Sequence, residues 1–133
     1  MPSSAIEVRP ARPEDVTEIR LLVHRCGLYN PDVDYRDFTP PLFVAVADYN
    51  VVGFIHALLG KPTSVILDFA VAPEYEHRGI GRKLLATLEA TMTSLGLPTW
   101  VAFVADGRPR VQGAIEKWGA KQAATGRSYL KRT

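Results

Sequence analysis

Between Val65 and Gly96 the hydrophobic pattern changes its period once, and two glycines mark the changeover. Val65 to Val71 is a run of β-branched, aliphatic and aromatic residues, the composition of a strand. After Pro73, residues Ile80, Leu84, Leu85, Leu88, Met92 and Leu95 recur at helical spacing; they predict a long helix, closed by Gly96 with Pro98 beyond. Arg78-Gly79-Ile80-Gly81 stands where the strand pattern has given way to the helix. Glycines there let a backbone approach a ligand closely and adopt dihedrals closed to other residues. The first N–H groups of a helix lack intrahelical acceptors, and with the helix dipole they suit anionic oxygens.

The charges point the same way. Arg78, Arg82 and Lys83 crowd the positive end of the predicted helix, where each cation is unfavourable by a few tenths to about 1 kcal/mol. A bound polyphosphate turns that cost into attraction. The plain alternative is a set of solvated cations beside a glycine-rich turn. Two other phosphate loops fit worse. The G-x-x-x-x-G-K-[ST] pattern is absent. A dinucleotide fingerprint needs a third glycine where Leu84 stands.

Around this segment the chain reads as one domain. Ile6 to Arg9 alternates as a short strand, and Arg12-Pro13-Glu14-Asp15 opens a helix carrying Val16, Ile19, Leu22 and Val23, with Gly27 as its terminator. Residues 28–41 are irregular and contain Pro31, Pro40 and Pro41. Leu42–Ala47 and Val51–Leu59, separated by Asp48-Tyr49-Asn50, predict an antiparallel hairpin. Thr99 to Ala105 is a strand parallel to the one before the long helix. Arg108 to Trp118 is a weaker helix stopped by Gly119, and one or two short strands close the chain around Thr125-Gly126. Trp100 and Trp118 read as core residues.

The 133 residues suffice for one core, and 47% apolar with 23% charged residues is ordinary for a soluble domain. A formal charge of +2 gives no pull toward nucleic acid or an acidic membrane surface. Met-Pro-Ser-Ser-Ala does not lead into an apolar run, and the apolar stretches are strand-sized. A lone Cys26, read as a small helix residue, excludes a disulfide framework and fits a cytoplasmic chain. The three histidines are scattered, so no metal site is expected.

In Val71-x-Pro73-x-Tyr75 and Gly79-x-Gly81, following a strand and opening a helix, the sequence resembles the GNAT superfamily of N-acetyltransferases. The element order resembles that family over nearly the whole chain. The resemblance implies an α/β (α+β) fold: a mixed, mostly antiparallel sheet of about six or seven strands with a central parallel pair, flanked by about four helices, ordered β-α-β-β-β-α-β-α-β(-β). It implies acetyl-CoA or another short acyl-CoA as co-substrate and a small-molecule or protein amine as acceptor. Backbone of Phe69, Ala70 and Val71 would pair with the pantetheine amides; backbone N–H groups of His77, Arg78, Gly79, Ile80, Gly81 and Arg82 would hold the pyrophosphate, with Lys83 beside them. The Thr99–Ala105 strand would splay from its neighbour and leave a cleft.

Two positions depart from the family pattern. Glu76 stands where Gln or Arg is usual. The family's N-x-x-A-x-x-F-Y, laid on Gly119, meets Arg108, Val111, Ala114 and Ile115, so the tyrosine that donates a proton to the thiolate is missing. Tyr129 reads as an ordinary strand tyrosine. Asp68 is the first candidate for the base that deprotonates the amine, since a buried carboxylate has a raised pKa; the same residue could simply accept backbone hydrogen bonds at a strand irregularity. His56 is the second candidate, or a satisfied sheet residue. The acids and aromatics between Tyr29 and Phe38 suit a cationic acceptor, or form a solvated loop. Two readings stay open: an N-acyltransferase, possible as a homodimer through its sheet edges, and a non-catalytic acyl-CoA-binding module that lost its acid.

Overall fold

The computed structural model describes residues 5–26, 41–103, 116–117, 121–122 and 128–132. Five strands form the body of one mixed sheet: β1 (Glu7–Pro10), β2 (Leu42–Ala47), β3 (Asn50–Leu58), β4 (Ser64–Val71) and β5 (Thr99–Phe103). The short β6 (Lys121–Gln122) and β7 (Ser128–Arg132) extend it, in the order β1-β2-β3-β4-β5-β7-β6. β4 and β5 are the parallel pair; the other neighbours are antiparallel. The parallel geometry follows from the long crossover helix between them. No helix among the described residues is long and apolar enough to cross a membrane.

The expected set of about four helices reduces, among the described residues, to two α-helices, α1 (Val16–Arg25) and α2 (Ile80–Ser94). The other helical segments are single 3-10 turns at Pro13–Asp15 and Pro73–Tyr75. Of the helix expected at Arg108–Trp118 only 116–117 are described; both are helical. Trp118 and residues 104–105 of the expected Thr99–Ala105 strand also lie outside. On α1, Val16, Ile19, Leu22 and Val23 are all buried, the positions their spacing predicts.

On α2, Ile80, Leu84, Leu85, Leu88 and Met92 are buried, but Leu95 is exposed. The helix ends one residue before it. Gly96, at φ 71°, donates to the Thr93 carbonyl (3.1 Å) and Leu97 to the Met92 carbonyl (2.9 Å). This is a Schellman motif, and its apolar contact falls to the buried Leu97 instead.

The seat of α2 on the sheet depends on one glycine. A Cβ on Gly53 of β3 would lie 3.1 Å from the Ala70 carbonyl oxygen and 3.2 Å from Cδ1 of Leu84. Gly53 therefore faces α2, and its missing side chain lets the helix's first turns press onto β3 and β4. By strand alternation His56 points to the sheet's other face. Residues 52–57 are all buried, so β3 is covered on both faces.

A second anchor ties β1 to the start of α1. Arg9 makes a two-pronged pair with Asp15 (Nη1 to Oδ2 2.7 Å, Nη2 to Oδ1 3.0 Å), and Asp15 also accepts the Arg12 backbone N–H at 2.7 Å. The Arg9 hydrogen bonds, opposed by burial and helped by the Arg12 amide, hold the Asp15 carboxyl below its ordinary pKa. A depressed folded pKa means the stabilisation is complete above the unfolded value of about 4 and is lost as pH falls through the folded value. Urea midpoints should therefore fall on acidification below about pH 5. Asp15→Asn should flatten that limb and cost roughly 2–3 kcal/mol at pH 7, because Arg9 is left mostly buried beside a neutral partner.

Candidate functional site

The parallel pairing of β4 with β5 covers only Ser64, Val65 and Ile66, opposite Trp100, Val101 and Ala102. β4 then runs on for five more residues, Leu67–Val71, beyond its pairs with the described part of β5. The expected parting falls at residues 104 and 105 of the second strand, which lie outside the described residues. Just past Ile66, β4 carries a bulge: His56 pairs with Asp68 but Ala57 with Ile66, leaving Leu67 as an extra residue. Bulges bend a strand and re-aim its side chains. Here the bulge puts Asp68 beside His56 on the face away from α2, while Ile66 keeps the α2 face.

Backbone direction beyond the bulge follows from one bond. The Ala72 N–H donates to the Val52 carbonyl at 2.8 Å, so by alternation Ala70 also turns its backbone groups toward β3. Phe69 and Val71 turn theirs to the opposite edge, beyond the pairs with the described part of β5. Of the three residues expected to pair with a pantetheine arm, Ala70 is therefore already engaged within the sheet. The Cys26 thiol lies 3.7 Å from the Val71 carbonyl, its donor directed at that oxygen.

After Ala72 the chain makes its 3-10 turn and reaches α2 through two left-handed residues, His77 (φ 64°) and Gly79 (φ 77°). Gly79 is the N-cap of α2, and a Cβ there would meet nothing within 4 Å. Its requirement is conformational, about 1–2 kcal/mol against an ordinary L-residue, and not a matter of space. The first helical bond runs from Lys83 N–H to the Gly79 carbonyl (3.1 Å). The amides of Ile80, Gly81 and Arg82 precede it, and among the described residues no side chain caps the helix. Gly81 lies in this first turn, and Arg78, Arg82 and Lys83 are exposed around it. Three outward amides, a dipole and three cations fit a diphosphate group.

The turn itself is held from both sides. Glu74 pairs with Arg25 at the end of α1, and the Tyr75 hydroxyl donates to Asp48 Oδ2 at 2.9 Å. That hydrogen bond, with Asp48's negative charge behind it, raises the Tyr75 pKa. The Arg78 guanidinium lies over the Tyr75 ring, 4.9 Å from its centre. A groove of about 460 Å³ opens on the α1 side, between Leu21, Leu22, Val51 and Tyr75. It contains none of the three amides and is separate from the phosphate-sized site.

The structure thus gathers His77 through Lys83 at one helix end and places Asp68 and His56 side by side on neighbouring strands, with Asp68 half-buried and His56 buried. Sequence reading missed Gly53, Asp48 and Arg25. An isolated glycine within a predicted strand was a usable signal for the first; nothing in the sequence tied the other two to the loop.

The family profile for the acetyltransferase (GNAT) family matches residues 9–120. The chain is 36% identical over 107 residues to the acetyltransferase plu1384 of Photorhabdus laumondii, covering 74% of this chain and 75% of that protein. Its fold is similar to the PaiA N-acetyltransferase of Thermoplasma acidophilum solved with coenzyme A (TM-score 0.82, 20% identity, 97% of this chain and 99% of that one). It is also similar to part of the N-acetylglutamate synthase of Neisseria gonorrhoeae solved with coenzyme A and L-arginine (TM-score 0.83, 16% identity, 97% of this chain and 33% of that one). This chain belongs to the acetyltransferase (GNAT) family. Its co-substrate is that of the family, acetyl-CoA.

Proposed function

We propose that the chain transfers the acetyl group of acetyl-CoA to a primary amine, of a small molecule or of a protein, by direct attack on the thioester. The observation that carries this reading is the run of outward amides at Ile80, Gly81 and Arg82, placed just after the strand that pairs in parallel with β5. Backbone N–H groups from His77 to Arg82 hold the diphosphate, and Arg78, Arg82 and Lys83 add charge attraction. The β4 edge at Phe69 and Val71, past its last pair with the described part of β5, takes the amides of the pantetheine arm as an added strand would. The thioester then lies near the parting of β4 and β5.

An amine is protonated at neutral pH and must lose a proton before it attacks. Asp68, just past the last β4–β5 pair, is the proposed base, with His56 across from it as the second choice. The nitrogen–carbon bond forms, the carbon–sulfur bond breaks, and the departing thiolate takes a proton from solvent water. Ile115, which stands at the family's tyrosine position, cannot supply one.

Thiol release from acetyl-CoA over a panel of polyamines, amino acids and lysine peptides tests the reading. Turnover with one amine should fall at least tenfold in Asp68→Asn, the scale of a lost general base. Unchanged turnover removes Asp68 from the mechanism and passes the role to His56. Tight binding of acetyl-CoA with no release for any amine would instead support a non-catalytic acyl-CoA-binding module.

A further inference from the structure

Among the described residues, Arg78 is the one cation of the cradle whose side chain rests on an aromatic ring, and that ring is itself tied down. Its backbone is bracketed by the left-handed His77 and Gly79, which leaves the guanidinium little choice of origin. The guanidinium lies 4.9 Å from the centre of the Tyr75 ring. The Tyr75 hydroxyl is bonded to Asp48 at 2.9 Å. Asp48 occupies the two-residue turn between β2 and β3, where it and Tyr49 both have positive φ (52° and 66°). Such a turn matches the twist of its strands and holds its side chains in a fixed direction. The hairpin is thus a rigid post, Tyr75 a strut from that post, and Arg78 lies along the strut.

We infer that Asp48 and Tyr75 are positioning residues for coenzyme A, aiming the Arg78 guanidinium at a phosphate of the ligand. The assignment rests on the proposed cradle at the start of α2. An arginine held over a ring by cation–π attraction loses less freedom when a phosphate arrives. Arg82 and Lys83, on the exposed helix surface, have no such ring beneath them among the described contacts. The Asp48 carboxylate lies behind Tyr75, where it fixes the phenol without reaching the cradle amides.

The test is equilibrium binding of coenzyme A and of pantetheine, which lacks every phosphate, to the full chain and its variants, each first checked for an unchanged melting profile. Arg78→Ala should weaken coenzyme A about tenfold and leave pantetheine unchanged. Tyr75→Leu should do the same, and should add little in the Arg78→Ala background, because the ring acts through the guanidinium. Tyr75→Phe and Asp48→Ala should each give a smaller loss of about threefold and not add to one another, whereas Asp48→Asn, which still accepts the phenol hydrogen, should bind like the parent chain. Additive losses for Tyr75 and Arg78, or equal losses for pantetheine, would overturn the inference and leave the cradle standing. If Tyr75→Leu unfolds the chain, the Tyr75→Phe and Asp48 arms decide alone. A parent chain that binds no coenzyme A would remove the cradle, and this inference with it.

Discussion

Reversing the two exposed cations of the first α2 turn, Arg82→Glu with Lys83→Glu, is expected to weaken coenzyme A at least a hundredfold and to stabilise the unliganded chain. The two effects have opposite signs for one reason. Cations at a helix N-terminus oppose its dipole, and each replacement by an acid removes a cost and adds a gain of a few tenths to about 1 kcal/mol, screened by solvent. The free protein should gain about 1–2 kcal/mol, a rise of roughly 3–8 °C in melting temperature for a domain of this size. The ligand carries several negative charges into the same spot, so binding loses two attractions and meets two repulsions. A hundredfold change is about 2.7 kcal/mol, modest for that exchange. Calorimetric titration and thermal melts on the same sample check both halves. An unchanged Kd would sink the cradle, and a lower melting temperature would show that these cations stabilise the helix in some other way.

The largest expected loss of stability belongs to Trp100→Ala. Trp100 is 1% exposed, on β5 opposite Ser64 at the parallel pairing, and its indole N–H donates to Glu89 on α2 at 3.0 Å. Truncation leaves a cavity between sheet and helix and strands the Glu89 carboxylate's contact, at a cost of about 4 kcal/mol. That is a large share of the roughly 5–15 kcal/mol a domain has to lose. Trp100→Phe keeps most of the volume and should cost no more than about half as much. Urea unfolding measures both; a change under about 1 kcal/mol for the alanine variant would mean that the core closes over the gap.

What the sequence disclosed depended on how local the cause was. α2 and its buried face were readable because Ile80, Leu84, Leu85, Leu88 and Met92 repeat within one element. The loop was readable because glycines and cations stand next to one another in the chain. Leu95 misled because the Schellman turn at Gly96 acts one residue earlier than the apolar spacing suggests. The first helix begins as a 3-10 turn, which the Pro13 signal does not distinguish from an α-helical start. Contacts spanning the chain were invisible: Arg25 with Glu74 and Asp48 with Tyr75 join exposed residues whose types give no hint of a partner. The unsuspected engagement of Ala70 by β3 is of the same kind, since which edge a backbone faces is set by the neighbouring strand's register.

The single unpaired residue Leu67 has a final implication for how the chemistry of this chain tolerates insertion and deletion. Removing Leu67 outright would make Ile66 and Asp68 successive residues of a regular strand and leave each on its present side. Were Leu67 instead drawn into the regular ladder, Ile66 and Asp68 would share a side of the sheet, and the carboxylate would be driven in beneath α2 among aliphatic groups. Parity along β4, more than the identity of any one side chain, decides which face of the sheet carries the acid.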